Sequence, residues 1–161
     1  MPQLTEGELL AETFDYTRKM TKFMLSKLVG VDVNKRIELE GKEFNSIYWF
    51  TAHTTWAEHN MLVVGMGKPS LEIPWLNDFK KDSNGQIVEG SPSYEDVLKA
   101  QDAVHEASMN NVKSLTTEDL DSIAVNSKAT KRTTIMHAIR HEGMHGGQIA
   151  WLCKMNGIKT F

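Results

Sequence analysis

Near its C-terminal end the chain reads His141-Glu142-Gly143-Met144-His145, an H-E-x-x-H string. This string restricts the fold more than any other feature. Residues four apart lie one above the other on a single face of an α-helix. Two imidazoles so placed can grip one metal ion, and the glutamate between them could act as a base on activated water. The pattern therefore asks for a helix, a third ligand and an open coordination position.

The direction of the third ligand follows from what is left of the chain. After His145 come GGQIAWLCKMNGIKTF, sixteen residues without His, Asp or Glu. The downstream ligand of a metalloprotease is thus missing, and the third donor must lie upstream. His53, His59, His105 and His137 are the upstream histidines. His137 extends the stripe, but its Cα lies about 12 Å from that of His145 at ~1.5 Å rise per residue. Donor atoms on one zinc all sit at ~2 Å from the ion. The expected site is one neighbouring pair, His137/His141 or His141/His145, plus a histidine from another helix.

Periodicity supplies those other helices. Thr5 and Glu8 form a T-x-x-E capping box ahead of a helix expected from about Glu6 to Val29, with Leu10, Phe14, Thr17, Thr21, Met24 and Leu28 on its apolar face. Gly30 ends it. After the link VDVNKRIELEGKEF, Asn45 or Ser46 caps a second helix to about Val64, which puts Trp49, His53, Trp56 and Asn60 on one stripe. A third helix is expected from about Ser93 to Val112, with Val97, Gln101, Val104, Ser108 and Val112 on one face. The fourth runs from about Lys131 to Asn156 and carries the H-E-x-x-H string. Gly143, Gly146 and Gly147 weaken that helix by roughly 1 kcal/mol each against alanine. Their presence suggests close helix approach or room for a ligand.

Residues 67 to 92 form the longest irregular stretch. It holds three of the four prolines and a hairpin signal around Asn84-Gly85. A loop this long in a small domain either lines a site or is a tolerated insertion. An EF-hand over 78–89 fails, because Lys80 and Ser83 occupy a ligand and the glycine position.

Composition sets the outer limits. With 161 residues, 40% hydrophobic and 24% charged, the chain suits one domain spanning 1–161, large enough to bury ~68–70% of its unfolded surface. A net charge of −3 gives no broad attraction to nucleic acid. The N-terminal MPQLTEGELL does not read as a signal peptide, and no apolar run approaches a membrane span. Cys153 is the single cysteine and sits in the apolar run IAWLC, where it reads as a small buried hydrophobe. The expected location is cytoplasmic. The expected partner is a small-molecule substrate, with no nucleic acid and no membrane; a homodimer is compatible with such a chain.

Five of the six histidines fall in the second and fourth helices. In a bundle these helices can face each other across the core, where bundle metal sites are built. His53 lies on an aromatic and apolar stripe, so it must be satisfied by a hydrogen bond or a metal. His59 and His105 have no partner at ligand spacing and read as surface histidines or as supports to the ligands. Gln148, three after His145, could orient a ligand, contact substrate or lie on the surface. Glu142 points roughly 100° away from His141, which suits a base, a supporting partner or a solvated position. A carboxylate-bridged di-metal centre is the rival motif. It would use Glu142-x-x-His145 and Asp102-x-x-His105, with Glu12 and Glu58 as further ligands.

The strings HEGMHGGQIAWLCKMNG and NSIYWFTAHTTWAEHNML, with SPSYEDVLKAQDAVHEA between them, resemble the DinB-like superfamily of metal-binding four-helix bundles. The resemblance covers nearly the whole chain. It implies an all-α four-helix bundle with a long connection between helices 2 and 3, and a mononuclear site on His53, His141 and His145. Met144 and Gly146 depart from residues common beside the last ligand, without removing one. Three histidines suit zinc, nickel or iron. The resemblance also implies chemistry with a low-molecular-weight thiol, in a transferase or isomerase acting on a small substrate. Hydrolysis with Glu142 as catalytic base, or a non-catalytic stress-response module, are the alternatives.

Overall fold

Every long helix starts at a side chain that satisfies its first free N–H groups. The computed structural model describes residues 3–83 and 86–160. Thr5 and Glu8 close the expected capping box at the head of α1 (Glu6–Leu25). Ser46 caps α2 (Ile47–Glu58), Ser93 caps α3 (Tyr94–Lys113) and Thr130 caps α5 (Lys131–Met155). In the segment after α3, Thr116 and Asp119 form a second capping box for a short α4 (Thr117–Asp121). Each cap replaces a missing intrahelical acceptor; α4 is a helix beyond the four expected. Among the described residues the fold is all-α apart from one small hairpin, and the all-α class is as expected.

Three local expectations shift. α1 ends at Leu25, before the expected Val29, and Gly30 lies in the turn beyond it with φ +73°. The link after α1 contains the hairpin: β1 (Ile37–Leu39) pairs antiparallel with β2 (Lys42–Phe44), Ile37 opposite Phe44. Glu40 and Gly41 turn it with φ of 52° and 72°, the positive pair of a type I′ turn. The hairpin anticipated around Asn84-Gly85 has its turn outside the described residues, and the residues flanking it form no strand. The third shift is in α2, which continues as a π-helical turn over His59–Val64, with Gly65 N–H donating to the Asn60 carbonyl.

Side-chain contacts set the helix directions. Arg18 meets Glu142, and Thr21 lies against Gly146, so α1 and α5 run the same way. Phe50 lies against His145 and His53 against His141, so α2 opposes α5. Thr51 meets Tyr94, and Glu58 meets His105, so α2 and α3 run parallel. Parallel neighbours cannot be joined by a tight turn. The chain after α2 must travel back along the bundle before α3 can begin, which accounts for the long stretch after Val64.

That return path lies on α2. The Leu71 N–H donates to His59, the Phe79 carbonyl meets His53, Ser83 meets Trp49 and the Pro92 carbonyl accepts from Tyr48. A 3-10 turn at Leu76–Phe79 seats Leu76 and Phe79 in the core. With helices on one side and this strap on the other, α2 is buried at nearly every position from Ile47 to Glu58. Among the described residues no helix is long and apolar enough to cross a membrane.

The core has two apolar halves. Met24, Tyr48, Phe50, Phe79, Val97 and Ile149 belong to one, and Ala11, Phe14, Leu62, Met109, Leu120 and Ile135 to the other. Between them lies a polar layer of buried Arg18, Thr54, Glu58, Gln101 and Glu142.

Candidate metal centre

α2 and α5 bring three histidines together beside the first apolar half. His53, His141 and His145 offer ring nitrogens that all lie within 4.8 Å of one another, the one such group among the described residues. The His141 and His145 rings stand 4.3 Å apart between centroids, and their Nε2 atoms are 3.1 Å apart. Two nitrogen donors on one tetrahedral ion with ~2.0–2.1 Å bonds lie about 3.4 Å apart. The helical pair is thus already close to ligating separation. The His53 ring lies 5.3 Å from His141 and 5.0 Å from His145.

Hydrogen bonds outside the cluster select the tautomers. His53 Nδ1 lies 2.7 Å from the Phe79 carbonyl, which can only accept. Nδ1 therefore carries the proton, and Nε2 presents its lone pair. His145 Nδ1 lies 2.6 Å from Gln148 Oε1, with the same consequence. Such a bond to the far nitrogen fixes ring orientation and raises donor strength. Trp49 stacks on His53 at 4.5 Å and 9°, which holds the ring flat against α2.

The surroundings keep the rings neutral. Burial pushes His141 down to about 3, helped by its neighbours His145 and His53. Burial likewise pushes His145 down to about 4, against the opposing bond from Gln148. His53 is lowered by burial, with the Phe79 carbonyl opposing. Neutral imidazole is the form that ligates a metal. The donor set, its tautomers and its protonation all fit one divalent transition ion on His53, His141 and His145.

The remaining sequence candidates go elsewhere. His137 is exposed and faces Arg140. His59 is not on the surface: it is buried under the strap and accepts from the Leu71 N–H. His105 bridges Glu58 at 2.9 Å and Asp15 at 3.0 Å. Burial opposes its charge, but the two carboxylates outweigh that and raise its pKa. Gln148 orients a histidine, one of the roles read for it. Cys153 is buried, which pushes its thiol pKa up. The di-metal rival is not assembled, since Glu12 is exposed and Glu58 is engaged by Arg18 and His105.

Glu142 is not solvated. Its Oε2 lies 3.1 Å from the guanidinium of Arg18, and that guanidinium also holds Glu58 at 2.6 Å. Arg18 is fully buried; burial opposes its charge, but Glu142 and Glu58 together outweigh that and raise its pKa. One guanidinium thus ties α1 to both helices that carry the histidines. A stripe through Thr17 fits the same helical period, which hides Arg18 in the sequence. The buried face runs through Ala11, Phe14, Arg18, Thr21 and Met24, where Arg18 sits four after Phe14. The Phe79 carbonyl had no sequence signal, because any residue supplies a carbonyl.

A family model described as the DinB superfamily matches residues 4–149, and the chain belongs to that superfamily. No curated protein matches it significantly.

Proposed function

We propose that this protein is a metal-dependent enzyme, with one divalent transition ion held by His53, His141 and His145, acting on a small substrate with the help of a low-molecular-weight thiol. The observation that carries the reading is the convergence of three histidines, two of which, His53 and His145, have their far nitrogens held by Phe79 and Gln148. A structural zinc site is closed by four protein ligands, whereas three leave a position open. A divalent ion there supplies Lewis acidity, which favours the nucleophilic form of a thiol donor. Zinc, nickel and iron all suit three imidazoles.

The chain's own residues have separate tasks in this reading. Phe79 and Gln148 hold the histidine tautomers. Trp49 and the strap keep water from the back of His53. Glu142 keeps α5 in register with α1 through Arg18. That last task disfavours hydrolysis with Glu142 as base, because its carboxylate faces Arg18 and lies outside the histidine group.

The test is metal analysis of purified protein, then cobalt substitution and addition of a small physiological thiol. A sulfur-to-metal charge-transfer band is expected, unchanged in Glu142→Gln. Turnover of ester or amide substrates that Glu142→Gln abolishes, with no thiol band, would overturn the thiol reading in favour of hydrolysis.

A further inference from the structure

A second feature lies beside the cluster. The hairpin and the last turns of α5 enclose a cavity of about 320 Å³. Leu39 and Phe44 of the hairpin form one wall, and Trp151 and Met155 of α5 form another. All four are largely exposed: Leu39 by 56%, Phe44 by 47%, Trp151 by 65% and Met155 by 53%. The size falls within the ~300–1,000 Å³ of small-molecule sites, which are mostly apolar with a few placed polar groups.

Two residues that line the cavity also contact the cluster. Phe50 and Gln148 also line it. The Phe50 ring lies 5.4 Å from the His145 ring, and Gln148 Oε1 holds His145 Nδ1. Two of its walls are therefore also neighbours of one histidine. The carbonyl oxygen of Gln148 is committed to His145, so its amide NH2 is the group left to donate. Two other sides next to the cluster are packed, while His141 is partly exposed. Trp49 and the strap cover His53, and Thr21 of α1 lies against Gly146.

We propose that this cavity binds the apolar body of the substrate, an alkyl or aryl small molecule with one acceptor end, carbonyl, carboxylate or thiol, directed past Gln148 toward the histidines. The head-group part rests on the metal reading above; the body part does not. Leu39 and Met155 then act as specificity residues, because they shape the mouth without touching the cluster.

Two titrations of the full-length protein separate these parts. In the first, cobalt-loaded protein is titrated with ethanethiol, butanethiol and hexanethiol, followed by the charge-transfer band. In the second, metal-free protein is titrated with butanol and hexanol, followed by tryptophan fluorescence. Burial predicts affinity rising by up to about fourfold per methylene in both series. Leu39→Asp and Met155→Asp, both at exposed positions, should flatten the dependence while the far-ultraviolet circular dichroism stays that of the parent. A thiol band with no dependence on chain length in the parent overturns the cavity proposal and leaves the metal reading standing. Chain-length-dependent alcohol binding that both variants abolish, with no thiol band, keeps the cavity and removes the thiol reading. A parent that sediments as a dimer and dissociates in Leu39→Asp overturns the proposal, because a second copy then covers this face.

Discussion

The Nδ1–H of His53 donates to the backbone carbonyl of Phe79 at 2.7 Å. This bond ties the histidine of α2 to the strap that carries the chain back along the bundle. The connection between α2 and α3 is therefore part of the candidate site as well as a topological necessity. Its Phe79 is also a core residue, so the carbonyl is held in place by packing on the apolar side of the same residue.

His53→Ala should abolish binding of the one expected metal per chain. Among the described residues no other group of three donors could take its place. Metal content per chain, measured on protein whose circular dichroism matches the parent, checks this. Full occupancy in the variant would remove His53 from the ligand set, and two ions per parent chain would revive the carboxylate-bridged arrangement.

His137→Gln should leave metal content near that of the parent. His137 is exposed, and its ring lies 6.1 Å from His141 on the side away from the cluster's other members. Loss of metal with retained fold would mean that the ligating pair is His137/His141.

Gln148→Leu should weaken metal affinity by about 10–100-fold, the usual effect of losing the partner of a ligand histidine. Gln148→Glu keeps an acceptor toward His145 Nδ1 and should recover most of the affinity. A competition titration with a chelator measures both. Equal weakening in the two variants would assign Gln148 to packing alone.

Arg18→Met should destabilise the fold by about 3–5 kcal/mol, because Glu58 and Glu142 would be left buried without their cation. Adding Glu58→Gln and Glu142→Gln to that variant should restore part of the loss. Urea unfolding of the metal-free protein measures each step. No loss in Arg18→Met would show that the layer relaxes or hydrates.

The metal-free protein should lose stability as pH falls below the ordinary histidine range. His141 and His145 stay neutral in the fold, held down to about 3 and about 4, while the unfolded chain takes up protons from about 6.5 downward. Unfolded chain binds more protons in that window, so stability falls from pH 6.5 toward 4. His105 acts the other way: its raised pKa adds stability below the ordinary range, lost as pH rises through its folded value. His105→Asn should therefore remove the stability gained as pH falls from 8 toward 6.5 and leave the slope between 6.5 and 4 unchanged. Urea midpoints from pH 4 to 8 check both signs.

Much of this protein was legible in its residues alone. The caps Thr5, Ser46 and Ser93 mark helix starts, because capping is chemistry between residues three apart. The buried face of α3, Val97 through Val112, follows from a 3.6-residue period. The close approach of His141 and His145 follows from the same geometry. The DinB-like resemblance adds His53 to that pair. What no local rule contains is how the helices are set against each other. Parallel α2 and α3 turn the long loop into a strap, and the strap supplies the Phe79 carbonyl. Arg18 looks like one more charged residue until α1 is packed, when it becomes the shared cation of Glu58 and Glu142. Hairpin placement went astray for a related reason. Asn84-Gly85 and Glu40-Gly41 both suit a tight turn, and the described strands form at the second, where Ile37 packs beside the core. Periodicity and capping are properties of neighbouring residues, so a sequence displays them. Burial of a charge, the choice of a tautomer and the convergence of donors are properties of segments far apart in the chain, and only their packing decides them.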